Sequence, residues 1–63
     1  MRIMRLAEVI QTTGLGRSSI YKLMGEGKFP KSIPLYNRMI GWVSEEVESW
    51  ILARIEERNV GKM

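Results

Sequence analysis

Thr13-Gly14-Leu15-Gly16-Arg17-Ser18-Ser19-Ile20-Tyr21-Lys22-Leu23-Met24 is the stretch on which the reading of this chain turns. Just upstream, Leu6, Val9 and Ile10 fall at i, i+3, i+4 spacing, with Glu8, Gln11 and Thr12 between them, which predicts a short helix over Leu6–Thr13. Gly14 stops that helix where a left-handed cap conformation favours glycine. Leu15-Gly16 is a tight connection, and a second helix starts at Arg17-Ser18. Its buried stripe is Ile20, Leu23 and Met24, again at helical spacing. Arg17, Ser18, Tyr21 and Lys22 fall on the other side. Two short helices joined by a glycine turn make a helix-turn-helix unit.

Downstream, Gly25 and Gly27 bracket the end of the second helix, and Lys28-Phe29-Pro30-Lys31 reads as a connection because Pro30 cannot continue a helix. A β-hairpin follows with Asn37-Arg38 at its tip, since Asn tolerates the positive φ that a two-residue turn needs. Leu35 is then expected to face Ile40, and Ile33 to face Trp42, which collects four apolar side chains on one face. Pro34 opposite Gly41 and Tyr36 opposite Met39 would line the other face of an edge ribbon. Ser44 before Glu45-Glu46 is an expected N-cap. The third helix should run to about Arg58 and bury Val47, Trp50, Ile51 and Ile55. The expectation is one mainly α domain with a small β-hairpin, a winged helix-turn-helix over residues 1–58, and a flexible tail over 59–63.

Composition narrows the chemistry. The 63 residues contain no Cys, no His and no Asp, and all seven acids are glutamates. The usual catalytic triads, thiolate zinc sites and paired-Asp metal sites therefore have no residues to be built from. A chain this short also leaves little room for a deep pocket. No enzyme activity, cofactor, metal or small-molecule ligand is expected. No apolar run approaches the ~18 residues of a membrane span, and Met1-Arg2-Ile3-Met4-Arg5 leads into no apolar region of signal-peptide length. A cytoplasmic, nucleoid-associated protein is the expectation.

The net charge of +3 is unevenly spread. Residues 1–44 carry seven Lys/Arg against Glu8 and Glu26, a balance of +5, whereas residues 45–63 carry a balance of −2. Such asymmetry suggests a polyanionic partner, with double-stranded DNA first. On the second helix, Arg17 has the fork that bonds guanine, and Ser18 and Ser19 can bond base edges or phosphate. Tyr21 and Lys22 share that face, although Tyr21 could equally pack across the hairpin. Asn37 and Arg38 at the wing tip, with Lys28 and Lys31 on the connection, are the candidate phosphate contacts. Each of these cations could also be an ordinary solvated charge. Leu52 and Met39 lie outside the inferred core faces and leave open self-association on repeated sites, or a different class of function altogether, a protein-interaction adaptor. Anionic-membrane binding is the weakest option, because the third helix is acidic.

Arg5-Leu6-Ala7-Glu8-Val9, Thr13 to Tyr21, Gly27-Lys28-Phe29-Pro30-Lys31 and Gly41-Trp42-Val43-Ser44-Glu45-Glu46-Val47-Glu48-Ser49-Trp50 together resemble the AlpA family of prophage regulators, small relatives of the MerR-type and excisionase proteins. The resemblance implies a winged helix-turn-helix and a role in mobile-element biology. It implies either transcriptional control of integrase or excision genes, or direct action at attachment-site DNA. By position it places Arg17, Ser18, Ser19, Tyr21 and Lys22 on the recognition helix and Asn37-Arg38 at the wing tip.

Overall fold

In a computed structural model that describes residues 1–61, the elements run β1 (Ile3–Met4), α1 (Leu6–Thr13), α2 (Arg17–Gly25), β2 (Ile33–Tyr36), β3 (Met39–Val43) and α3 (Ser44–Gly61). Both helices of the helix-turn-helix stand where the apolar spacing predicts. Gly14 closes α1 with φ 78°, and its N–H donates to the Ile10 carbonyl at 2.8 Å. Thr13 reinforces the corner: its hydroxyl donates to the Val9 carbonyl and accepts from Leu15 N–H.

The hairpin departs from the expected register. Tyr36 does face Met39, but Pro34 faces Ile40 and Ile33 faces Gly41, with an irregularity between Pro34 and Tyr36. The expected pairs Leu35–Ile40 and Ile33–Trp42 do not form. Leu35 is the extra residue of a bulge, which moves the lower part of β2 by one position and so onto the opposite face. Trp42 pairs instead with Met4 of β1, and Ile3 pairs with Val43, giving a three-stranded antiparallel sheet in the order β1-β3-β2. β1 has two residues, too few to show any periodicity in the sequence.

The core is Met4, Val9, Ile20, Phe29, Trp42 and Val47, with Leu6, Ile10, Leu15, Leu23, Met24, Ile40, Trp50 and Ile51 packed around it. Two strands, β1 and β3, the three helices and the connection after α2 all contribute to it. Phe29 is the surprise: a residue of the supposed passive connection is buried, its ring edge-on to Trp50 at 4.9 Å. Each indole N–H then donates to a carbonyl of that segment, Trp50 to Lys28 at 2.7 Å and Trp42 to Pro30 at 3.1 Å. These bonds satisfy donors that would be costly to bury unpaired, and they fix the path from α2 to the hairpin.

α3 differs from expectation at both ends. Ser44, the expected N-cap, is the first helical residue, and its buried hydroxyl accepts from Arg2 N–H and donates to the Glu45 carboxylate. The Glu45 carboxyl is held below the usual carboxylate range by its own backbone N–H, then by Ser44 and the Met1 ammonium 3.5 Å away, partly opposed by desolvation. A second exposed pair, Arg2 with Glu8, lowers the Glu8 carboxyl and raises the Arg2 guanidinium, chiefly through their side-chain hydrogen bond. At its far end α3 continues to Gly61 rather than stopping near Arg58. Ile55, expected inside, is exposed, because α3 has outrun the sheet; among the described residues, Thr12 and Thr13 at the end of α1 border it there. Residues 62 and 63 of the expected tail lie outside the described residues.

Candidate nucleic-acid interface

The site begins with the turn before α2. Gly16 precedes the helix in an extended conformation and has no side chain to cap it, so the first-turn N–H groups remain available to an outside acceptor. Ile20 is fully buried and fastens α2 to the body, while Leu23 and Met24 are half-buried beside it. With that stripe fixed, helical geometry turns Ser18, Tyr21 and Lys22 outward and leaves Arg17 and Ser19 on the two flanks. All five are exposed. The Arg17 guanidinium lies over the Tyr21 ring, 5.9 Å from its centroid, so Tyr21 shares its face with Arg17. Such a contact narrows the positions the guanidinium samples without neutralising it.

The hairpin supplies the second part. Asn37 takes φ 54°, the left-handed conformation expected of it, and Arg38 completes the two-residue tip, exposed. Among the described residues, no carboxylate pairs with Arg17, Lys22 or Arg38. The two connection lysines sit differently. The Lys28 ammonium is 3.8 Å from Glu26, and Lys31 borders an open groove with Glu45 and Glu46 at the start of α3. Their charges are thus partly offset nearby, unlike those of α2 and the wing tip.

Arg5 is a further exposed cation, bonded to the backbone of the hairpin. Its Nε donates to the Ile40 carbonyl at 3.1 Å, on the edge of β3 that the short β1 leaves open. No sequence pattern marks this, because the two residues are 35 positions apart. The structure holds nothing resembling a metal centre among the described residues, and no described helix is long and apolar enough to cross a membrane. What the arrangement offers is a polar, cationic helix face and a cationic hairpin tip on a small rigid body, suited to a polyanion with grooves.

Comparison with known proteins points the same way. The family model described as prophage CP4-57 regulatory protein (AlpA) matches residues 2–55. A protein designated ORF88 from Enterobacteria phage P4 is 38% identical over 60 residues, covering 95% of this chain and 68% of its own length. The DNA-binding transcriptional activator AlpA of Escherichia coli (strain K12) is 35% identical over 60 residues, covering 86% of each chain.

Proposed function

Since the chain belongs to the AlpA family of prophage regulatory proteins, a family of regulators and not of enzymes, we propose that it is a transcriptional regulator that binds double-stranded DNA. In this reading α2 enters the major groove, about 12 Å wide. Arg17 contacts a guanine, steadied by Tyr21, and Ser18, Ser19 and Lys22 contact base edges or phosphates. Asn37 and Arg38 hold the backbone from the wing, with Lys28 and Lys31 as weaker, partly compensated contributors. The observation that carries the reading is the exposed face of α2, cationic and free of paired carboxylates, presented by a helix that Ile20 anchors. The regulator named among the relatives supports it. The genes under control are those of mobile-element integration or excision. One small module makes few contacts, so regulation uses several copies on repeated sites.

Selection of bound duplexes from a random pool, followed by titration of the winners across salt, tests this directly. An enriched motif is expected, and about five phosphate contacts give a log–log salt slope near −4 to −5. Arg17→Ala should cost about 1–3 kcal/mol at one base position and relax preference there, while Arg38→Ala should weaken all sequences alike and shrink the slope by about one. A slope near zero, or two variants that bind as the wild type does, would sink the assignment.

A further inference from the structure

The register of the sheet determines which side chains its outer face carries. Paired residues on neighbouring antiparallel strands share a face, and alternate residues of one strand switch faces. Met4, Pro34, Ile40 and Trp42 therefore point to the inner side, where Trp42 is fully buried. Ile3, Ile33, Gly41, Val43, Tyr36 and Met39 point to the outer side. Leu35 joins them through the bulge: its Cδ1 lies 3.1 Å from where a Cβ on Gly41 would sit. At the distal end of this face Leu35 is 40% exposed, Met39 40% and Tyr36 70%. Three large apolar side chains thus stand in water around the Asn37-Arg38 tip.

The charges around this patch indicate its occupant. From Gly27 to Ser44 the chain carries Lys28, Lys31 and Arg38 and no carboxylate. Arg5 reaches the same end of the sheet by way of the Ile40 carbonyl. A second copy placed face to face over the hairpin tips would bring Arg38 near its own twin, and like charges so placed repel. An apolar strip bordered by cations fits instead a channel with anionic walls, at whose floor apolar side chains can insert between stacked bases. The minor groove of DNA, about 6 Å wide, is such a channel. Leucine and methionine side chains pushed between base steps unstack and kink the duplex there, and arginine is drawn to the negative potential alongside.

We propose that Leu35, Tyr36 and Met39 form an apolar wedge that enters the minor groove beside the recognition site and bends the duplex, with Arg38 and Asn37 on the groove walls. This deepens the DNA-binding reading above and rests on it. The wing is then a bending element as well as a phosphate clamp.

The test uses the whole chain and 30-base-pair duplexes taken from the bound fraction of a random pool. The ends carry donor and acceptor dyes, and 2-aminopurine is placed at successive steps. The wild type should raise energy transfer between the ends and brighten 2-aminopurine at one step. The double variant Tyr36→Ser/Met39→Ser should lose both signals and bind about tenfold more weakly with an unchanged salt slope, because an apolar contact releases no counterion. Tyr36→Phe should retain the bend. Unchanged thermal midpoints in all three proteins will show that folding is not the cause. A straight duplex under the wild type, or equal bending by the double variant, overturns the wedge while leaving the DNA-binding reading standing. So does a concentration-dependent dimer off DNA that the double variant abolishes while bending persists, since the patch then belongs to a second copy. If the intact chain binds no duplex at low salt, the DNA-binding reading fails and the wedge with it.

Discussion

The two faces of the three-stranded sheet are made from alternate residues of the same strands, yet the inner one contributes Met4 and Trp42 to the core while the outer one leaves Leu35, Tyr36 and Met39 exposed. On the inner face Met4 and Trp42 lie beneath α1 and α3 and are excluded from water. On the outer face Ile3, Ile33 and Val43 are half-buried, and Leu35, Tyr36 and Met39 are exposed at the distal end. Both faces are apolar, so hydrophobicity does not distinguish them. What distinguishes them is whether a helix is positioned to cover each. A residue's contribution to stability should therefore follow its face rather than its type.

Trp42→Ala is the strongest way to break that comparison. It removes the largest fully buried side chain and the bond to the Pro30 carbonyl. A loss of about 3–5 kcal/mol is expected, comparable to the whole stability of roughly 3–9 kcal/mol for a chain of this length. Circular dichroism should show no cooperative melt. If Trp42→Ala still melts cooperatively near the wild-type midpoint, the inner face is not the core.

Gly41→Ala probes the seam between the faces. Its Cβ would come within 2.5 Å of Ile3 Cγ2 and 3.1 Å of the Met4 carbonyl oxygen, so β1 would have to shift outward. About 1–2 kcal/mol is expected from this overpacking, read as a lower urea midpoint. Adding Ile3→Ala should recover part of that loss, because the nearest clashing atom is then gone. A double variant less stable than the sum of the two singles would mean that Ile3 packs elsewhere.

Tyr36→Ser should have the smallest effect, within about 0.5 kcal/mol, as for a surface substitution that breaks no buried contact. A midpoint shift as large as that of Gly41→Ala would show the outer face to be structural and would weaken the case for a DNA-facing role.

Much of this was legible in the chain itself. The three helices, the glycine corner, the positive-φ Asn37 tip and the outward set on α2 follow from local spacing and turn chemistry. The core stripe of α2 was readable because Ile20, Leu23 and Met24 lie within two helical turns. The hairpin register was not, because alternation is satisfied equally well by two registers that differ by one residue, and the choice rests on a bulge at Leu35. Phe29 looked like connection because Pro30 follows it, and nothing local reveals that Trp50, far along the chain, receives it. Ile55 fitted the apolar stripe of α3, but a stripe does not say where the neighbouring elements end.

By itself, then, the sequence determined the kind of protein: no residues for the usual catalysis, a positive first two thirds, and a helix-turn-helix presenting Arg17, Ser18, Tyr21 and Lys22. Those properties depend on composition and on contacts a few residues apart. The tertiary structure alone decided the pairing of β1 with β3, the indole bonds to the Lys28 and Pro30 carbonyls, and the apolar outer face of the wing. The first two join segments well separated in the chain, and the third depends on the bulge at Leu35 within the hairpin. Their geometry is selected by the packing of the whole body, through which face a helix covers and where one extra residue must bulge, rather than by any local preference.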